Sequence, residues 1–284
     1  MFELLSHLRL HYLLCLSISL VVFLVFRDKK YASVAVIAVT VNALPLLAFY
    51  YGGASERQVT IGSRHTSIKL MLSNVLSSNT NYSALLALVK TEKPDVLILQ
   101  EVTADWLQQT GGLSLHYPHR IAHPQEDNFG IALFSKFPLQ GERIANWGGF
   151  KLPSIETQLV VAGRKLLLLA THPLPPLNAS YHRGRNSQLE QVSRRAKASE
   201  LPTIVMGDLN LSLWSADYQR LLDVSGLHNV RKGFGILPSW PANLGVLSIP
   251  IDHCLTSRHF AIRDVKTGTN VGSDHLPLIV ALDF

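Results

Sequence analysis

Residues 201–210 have the sequence Leu-Pro-Thr-Ile-Val-Met-Gly-Asp-Leu-Asn, and the rest of the chain is organised around this stretch. The apolar, partly β-branched run at 203–206 predicts a short strand that is buried on both faces. Gly207 would let the backbone turn sharply, and Asp208 and Asn210 would project to one side of an extended segment. Such a pair can orient a water molecule or bind a hard cation, but an ordinary turn has the same composition.

Length and composition limit the classes of protein to which this chain can belong. The chain has 284 residues, enough for one large domain or two small ones. Hydrophobic residues make up 47% of it, and their excess lies near the N-terminus, which indicates a lipid-embedded segment. Cys15 and Cys254 form no disulfide or zinc pattern. The net charge of +6 is compatible with an anionic substrate or anionic lipid, but it is spread along the chain as on an ordinary solvated surface.

Two uncharged apolar segments, about residues 10–26 and 31–51, precede the globular part. The first is at the lower limit of the roughly 17–25 residues that cross a bilayer, and the second is long enough, with tyrosines at its ends. A cleaved signal peptide explains only the first segment, whereas a hairpin of two transmembrane helices explains both. We therefore predict a membrane anchor over residues 1–51 and a linker over residues 52–66.

The basic residues between the two segments predict an orientation. Arg27, Lys29 and Lys30 lie in the predicted turn, and the positive-inside rule places this turn in the cytoplasm. Basic residues after the second segment weaken this inference. With the basic turn in the cytoplasm, we expect the chain to be a multi-pass protein of a bacterial inner membrane. Its globular domain would then lie in the periplasm.

The globular part, residues 67–284, alternates strand-like and helix-like segments and predicts a single mixed α/β domain. Polar residues recur where its predicted strands end: Asn74, Glu101, His172, Asp208, Asn210, Asp252, Asp274 and His275. Each alone has an ordinary interpretation as a cap or turn residue. Together they favour a binding site at the carboxyl edge of a sheet.

These residue types fit the metal-assisted attack of water on a phosphate ester. Glu101 offers the hard oxygen ligands that Mg²⁺ prefers, and a bound metal polarises a phosphoryl oxygen and stabilises the leaving oxygen. His275 could bind or protonate the phosphate, because an Asp partner raises the pKa of a histidine. Asp208 could orient or deprotonate the attacking water, with Asn210 holding its geometry.

Short motifs follow one another along this domain. They are Asn74, Gln-Glu-Val at 100–102, Phe-Gly-Ile-Ala-Leu-Phe-Ser at 129–135, Thr-His-Pro at 171–173, Gly-Asp-Leu-Asn at 207–210, Ile-Asp-His at 251–253 and Gly-Ser-Asp-His-Leu-Pro at 272–277. Their order resembles the endonuclease/exonuclease/phosphatase superfamily, which includes pancreatic deoxyribonuclease, apurinic endonucleases, neutral sphingomyelinases and inositol polyphosphate 5-phosphatases. The resemblance covers essentially all of residues 67–284, and no single motif carries it.

The N-terminal segments, with Asn42-Ala-Leu-Pro45 in the second, are similar to a membrane-anchored bacterial branch of this superfamily. Members of that branch often carry one more span in front. We therefore expect a further span ahead of Met1.

The resemblance implies an α/β fold, a four-layer sandwich with two central mixed β-sheets flanked by helices. It places Asn74 and Glu101 at a divalent metal, Mg²⁺ or Mn²⁺, with Asp274 as a further candidate ligand. It assigns Asp208 and Asn210 to the nucleophilic water.

The resemblance also implies two phosphate-facing histidines, His172 and His275, with Asp252 orienting His275. Two further candidates are Glu156, in a strand where relatives often have an acidic residue, and Ser273, within the Gly-Ser-Asp-His motif. Two histidines are typical of the deoxyribonuclease and sphingomyelinase side of the superfamily, which argues against abasic-site repair.

Three functions remain open. The first is a membrane-anchored, metal-dependent phosphodiesterase or nuclease; the second is an enzyme of the same fold acting on a lipid or sugar phosphate; the third is a non-catalytic, membrane-bound binding module. The expected partners are a phosphate ester (nucleic acid or phospholipid headgroup) and the bilayer, and no protein partner is indicated. Specificity would lie in the loops at 173–179 and 233–245, where Trp240 is either a stacking platform or simply packed.

Overall fold

The computed structural model describes residues 2–51 and 66–284. In chain order the helices are α1 (Phe2–His7), α2 (Arg9–Val25), α3 (Lys29–Leu47), α4 (Tyr82–Glu92), α5 (Ala104–Gln109), α6 (Ala179–Lys197) and α7 (Ala216–Ser225). The strands are β1 (Ser67–Asn74), β2 (Val96–Gln100), β3 (His119–His123), β4 (Ile131–Ser135), β5 (Leu139–Trp147), β6 (Leu152–Val161), β7 (Arg164–Thr171), β8 (Thr203–Asp208), β9 (His228–Asn229), β10 (Asp252–Thr256), β11 (Ala261–Thr267) and β12 (Leu278–Asp283). Short 3-10 helices lie at Gly111–Leu115 and Gly245–Leu247.

The strands form two six-stranded sheets. The first has the order β11-β12-β1-β2-β4-β3, and the second has the order β5-β6-β7-β8-β10-β9. Neighbouring strands are antiparallel except for β1 with β2 and β7 with β8, which are parallel. Both sheets are therefore mixed, as predicted.

The inner faces of the two sheets pack against each other and form the central core. Leu70 and Ile98 from the first sheet and Leu168 and Met206 from the second are fully buried there. Alternate residues of the same strands point outward, where α4 and α5 cover the first sheet and α6 and α7 cover the second. This is the predicted four-layer sandwich.

Gly207 lies inside β8, and the sharp turn predicted at this residue does not occur there. A Cβ atom at Gly207 would lie 1.9 Å from the carbonyl oxygen of Thr171 and 2.9 Å from Nε2 of Gln100. Glycine is needed because the end of β7 and a side chain of the first sheet approach the β8 backbone closely. The turn comes at Asn210, which has a left-handed φ of 51°.

The sequence pattern does not predict β5. Gly141, Glu142 and Arg143 lie in this strand and interrupt any apolar alternation. Because β5 forms an edge of the second sheet and pairs only with β6, much of it stays exposed and needs no apolar repeat.

Two N-terminal helices coincide with the predicted spans and pack against each other. α3 has 19 residues and is long and apolar enough to cross a membrane, whereas α2 is apolar but has 17 residues. α3 begins at Lys29, inside the predicted basic turn, because Asp28 accepts a hydrogen bond from the Tyr31 amide and caps it. It ends at Leu47 rather than at residue 51.

The predicted linker falls mostly on residues 52–65, which lie outside the described residues. Its last residue, Thr66, exchanges backbone hydrogen bonds with Phe284, with N···O distances of 3.3 and 3.1 Å. The globular domain therefore begins by pairing with the C-terminal strand.

One end of the α2–α3 hairpin packs on the globular domain. Leu46 is buried in the apolar cluster beneath α6 and α7, and Leu10 packs against the same cluster. The carbonyl oxygen of Phe49 accepts hydrogen bonds from the amides of Gly233 and Gly235, each at 2.9 Å. These contacts join the hairpin directly to the loop that follows β9.

Candidate active site

A cleft of about 810 Å³ lies where strand ends of the two sheets meet. Six of the predicted site residues line it: Glu101, Asp274 and His275 from the first sheet, and His172, Asp208 and Asn210 from the second. The pattern of strand ends alone predicts one sheet edge, whereas the site is assembled from the edges of both sheets of the sandwich that the resemblance implies.

Gln100 joins the two sheets at this edge. Its Nε2 donates to the carbonyl oxygen of Thr171 at 2.9 Å, and its Oε1 accepts from the amide of Asp208 at 2.8 Å. A primary amide can donate and accept at once, so one buried side chain ties the end of β2 to the ends of β7 and β8. Sequence reasoning missed this role, and the signal that could have found it was a polar residue directly after an apolar strand.

Glu101 is fixed at the cleft by backbone and side-chain contacts. It has a left-handed φ of 61°, an uncommon conformation for a residue other than glycine. Its Oε1 accepts from Nδ2 of Asn74 at 2.8 Å, and its Oε2 accepts from the amide of Ser77 at 3.3 Å. The Asn74 oxygen accepts from the amide of Leu76 at 3.1 Å, so Asn74 orients the Glu101 carboxylate.

Asp208 lies between two histidines. Its Oδ2 is 3.5 Å from Nε2 of His172 and 3.7 Å from Nε2 of His275, while its Oδ1 accepts from the amide of Asn210 at 2.9 Å. Burial lowers the pKa of His172, but the neighbouring carboxylates of Asp208 and Glu101 outweigh burial and raise it overall. The Oδ2 atom of Asp208 therefore faces the Nε2 atoms of two histidines at the cleft.

His275 forms a buried ion pair with Asp252. Its Nδ1 is 2.9 Å from Oδ2 of Asp252, which lies at the start of β10. Burial lowers the pKa of His275, but the charge and hydrogen bond of Asp252 outweigh it and raise the pKa to about 10. The same pairing lowers the pKa of Asp252 despite its burial. His275 is thus an imidazolium whose Nε2 proton faces the cleft.

Two donor groups could hold a metal ion. Asp208, Asp252 and His275 have ligand atoms within 4.8 Å of one another. Within this group Nδ1 of His275 and Oδ2 of Asp252 already bond to each other at 2.9 Å. Glu101 and Asp274 offer carboxylate oxygens to the same cleft, and all-oxygen ligands suit hard cations.

Asn210 and Asp274 are held by contacts that the sequence did not reveal. The extended geometry predicted for Asn210 is wrong, because this residue has a left-handed φ of 51°. Its Nδ2 donates a hydrogen bond to the carbonyl oxygen of Pro173 at 3.0 Å. The Oδ2 of Asp274 accepts from Nε1 of Trp240 at 2.9 Å. Trp240 therefore orients a candidate ligand and also lines the cleft.

Glu156 and Ser273 do not line the cleft. Glu156 lies on the outer side of β6, where its carboxylate pairs with Arg143 and, at 2.7 Å, with Arg195 of α6. Glu156 is buried, its arginine partners are partly exposed, and the structure places this ion pair away from the cleft, so a role for Glu156 in the site stays a prediction. The Oγ of Ser273 accepts from the amide of His275 at 3.0 Å and supports the turn that presents this histidine.

A sequence profile of the Endonuclease/Exonuclease/phosphatase family matches residues 71–275, and the chain belongs to this family. A search of curated protein sequences finds no match. Membership of this family places the chain among hydrolases that act on phosphate esters.

Solved structures share the fold. TDP2 from D. rerio, complexed with a single-strand DNA product, is 18% identical with a TM-score of 0.65, covering 77% of this chain and 100% of that chain. An endonuclease/exonuclease/phosphatase family protein from Bacteroides thetaiotaomicron is 17% identical with a TM-score of 0.62, covering 78% and 96%. Sphingomyelinase C from Streptomyces griseocarneus is 16% identical with a TM-score of 0.56, covering 76% and 99%. At these identities the similarity shows the fold alone.

Proposed function

We propose that the chain is a divalent-metal-dependent phosphodiesterase that uses direct attack of water on phosphorus. We further propose that α2 and α3 anchor it in a bacterial inner membrane with the catalytic domain in the periplasm. The observation that carries the catalytic part is the Oδ2 atom of Asp208, which lies within 3.7 Å of both His172 and His275 in one cleft.

Asp208 orients the attacking water and takes its proton. The Asn210 amide binds Oδ1, and Oδ2 lies on the cleft side between the Nε2 atoms of the two histidines, where it contacts the water. The water oxygen forms the new P–O bond, the ester P–O bond breaks, and the leaving oxygen takes up a proton through solvent. His172 and His275 donate hydrogen bonds to the phosphoryl oxygens and stabilise their negative charge.

Glu101 is the proposed main ligand of the metal, with Asp274 as the second carboxylate and Asn74 as the residue that orients Glu101. The fit rests on the donor set, since carboxylate oxygens held by fixed partners suit Mg²⁺ or Mn²⁺. A cation bound there supplies Lewis-acid polarisation of a phosphoryl oxygen and stabilises the leaving oxygen.

The hairpin geometry supports the proposed orientation. The globular domain contacts the hairpin end that contains Leu10 and Leu46, and the turn with Arg27, Lys29 and Lys30 lies at the opposite end. A cytoplasmic basic turn therefore corresponds to a domain outside the cytoplasm.

The similar structures leave the substrate class open. One is TDP2 with a single-strand DNA product and another is a sphingomyelinase, so nucleic acid and a lipid headgroup are both compatible with the fold. The intact set of carboxylates and histidines disfavours the third alternative, a non-catalytic binding module.

The direct test is cleavage of a simple chromogenic phosphodiester by the full chain in detergent. We expect activity that EDTA abolishes and that Mg²⁺ or Mn²⁺ restores. Asp208→Asn removes the base while keeping its shape, and we expect a loss of about 10²–10⁴-fold in kcat. Asp264→Asn, at an exposed position of β11, is the matched control and keeps full activity. Wild-type rates in Asp208→Asn, or activity indifferent to EDTA, would refute the proposal.

A further inference from the structure

One side of the catalytic cleft is apolar, and the chain's own N-terminal helix helps to build it. Leu4 and Leu8, in and directly after α1, line the cleft together with Leu174 and Leu177 from the loop that follows β7. Sequence reasoning missed this wall, because the first residues are continuous with an apolar segment that predicts only a span.

The charge of the cleft is unlike that of a polynucleotide-binding surface. Its described lining includes Glu101, Asp127, Asp208 and Asp274, and no lysine or arginine occurs among these lining residues. A protein that follows a nucleic acid backbone neutralises successive phosphates with basic side chains. A single phosphate, by contrast, needs only the hydrogen-bond donors that His172 and His275 offer in the cleft, together with the proposed metal ion.

The basic residues of α6 do not compensate for this lack. Arg185 is fully buried and bonds to Asp217, Arg194 pairs with Glu190, and Arg195 pairs with Glu156 in the structural ion pair. Three of the four arginines of α6 are therefore already paired within the fold.

The rim of the cleft adjoins the membrane hairpin. Leu177 is 72% exposed at the mouth, and Val246 is 78% exposed in the 3-10 helix Gly245–Leu247, which α2 contacts. The Phe49 carbonyl holds the same loop region through Gly233 and Gly235. Exposed apolar side chains therefore occur both at the cleft wall and in the 3-10 helix that contacts the hairpin.

We propose that this cleft takes an amphiphilic phosphodiester, a lipid in which one phosphate joins a polar headgroup to an apolar chain. The phosphate lies at Glu101 and His275, and the apolar chain lies along Leu4, Leu8 and Leu177. This inference rests on the proposed function and names its substrate class. The reaction adds water across one P–O bond: the water oxygen joins phosphorus, and the released alcohol takes the proton.

The test compares two substrates that differ only in the apolar chain. The full chain in mild detergent is assayed with Mg²⁺ on a lysophospholipid and on the glycerophosphodiester that remains when its acyl chain is removed. We expect kcat/KM to be at least about tenfold higher for the acylated substrate, because apolar contact adds binding only there. Single-stranded DNA is the third substrate, and we expect it to be cleaved more slowly than the lysophospholipid.

Two substitutions test the wall itself. Leu177→Gln and Leu4→Gln are expected to reduce the preference for the acylated substrate several-fold. Leu115→Gln is the matched control, since Leu115 is 85% exposed and does not line the cleft, and it leaves the preference unchanged.

The outcomes separate this inference from the proposed function. Equal kcat/KM for the acylated and deacylated substrates, or faster cleavage of DNA, overturns the lipid inference and leaves the phosphodiesterase standing. A preference that survives in both wall variants also overturns it. Absence of EDTA-sensitive cleavage on all three substrates and on the chromogenic diester overturns both.

Discussion

The Gln100 side chain accepts a hydrogen bond of 2.8 Å from the backbone amide of Asp208, and this bond joins the two sheets at the point where the site is assembled. The same side chain donates to the Thr171 carbonyl next to His172. The buried side-chain amide of Gln100 therefore positions Asp208 and His172, two residues with proposed catalytic roles, without lining the cleft itself.

Gln100→Glu is expected to lower both stability and activity. The substitution removes the donor to Thr171 and points a carboxylate oxygen at its carbonyl, which costs about 1–3 kcal/mol for the unsatisfied group. Thermal unfolding of the full chain should show a lower Tm, and kcat should fall because Asp208 and His172 shift. Gln108→Glu, on the exposed side of α5, serves as the control. An unchanged Tm and kcat in Gln100→Glu would show that the bond between the sheets has no structural role.

Asp252→Asn is expected to move the alkaline limit of activity. Asp252 raises the pKa of His275 to about 10, so the phosphate-binding imidazolium persists until the pH rises through that value. Without the carboxylate, the pKa should fall toward or below the ordinary value of 6.5, and kcat/KM should decline at correspondingly lower pH. The pH profile of kcat/KM measures this shift, and an alkaline limb that stays in place contradicts the role of the pair.

The same pair should contribute to stability with a definite sign. The pKa of His275 is higher in the folded than in the unfolded state, so the folded state binds more protons between about 6.5 and about 10. Its stabilisation is fully present below about 6.5 and is lost as the pH rises through about 10. Thermal unfolding across this range should show a smaller alkaline loss of Tm in Asp252→Asn than in the wild type.

Glu101→Gln is expected to weaken metal binding. It keeps the size of the side chain but removes the charge that attracts a divalent cation, so the Mg²⁺ concentration for half-maximal activity should rise at least about tenfold. Asn74→Ala should have a smaller effect in the same direction, because it releases the orientation of Glu101. Glu142→Gln, exposed on β5, should behave like the wild type. A metal requirement that is unchanged in Glu101→Gln would exclude Glu101 as a ligand.

Cysteine labelling in intact cells tests the proposed orientation. Cys254 is buried, so Cys15→Ser gives a background with little labelling by a membrane-impermeant thiol reagent. In that background Leu115→Cys, on the globular domain, should be labelled in intact cells, and Lys29→Cys, in the basic turn, only after the cells are broken. The reverse pattern would place the domain in the cytoplasm.

The alternation of apolar residues and the turns between them were sufficient to predict the α/β fold and most strands. Strands such as β1, β2 and β8 are apolar runs that end in polar residues, and these ends are visible in the sequence. Which strand ends meet is not visible, because the period of a strand does not specify its neighbours. The family resemblance, not the strand pattern, brought the site residues together, and the clamp by Gln100 required the structure.

Other features depend on tertiary contacts with no local signal. Asn210 adopts a left-handed conformation because its amide bonds to Asp208 and its side chain bonds to Pro173. Glu156 resembles a site carboxylate in the sequence, but Arg195 of a distant helix pairs with it. The apolar wall formed by Leu4 is an effect of packing between segments far apart in the chain.

The stereochemistry at phosphorus tests the central claim most directly, which is that Asp208 directs water to phosphorus in a single displacement. A phosphorothioate diester of known configuration would be hydrolysed in isotopically labelled water, and the configuration of the product determined. Direct attack of water predicts inversion. Retention would require two displacements, with His172 or His275 as a covalent nucleophile, and would contradict the proposed role of Asp208.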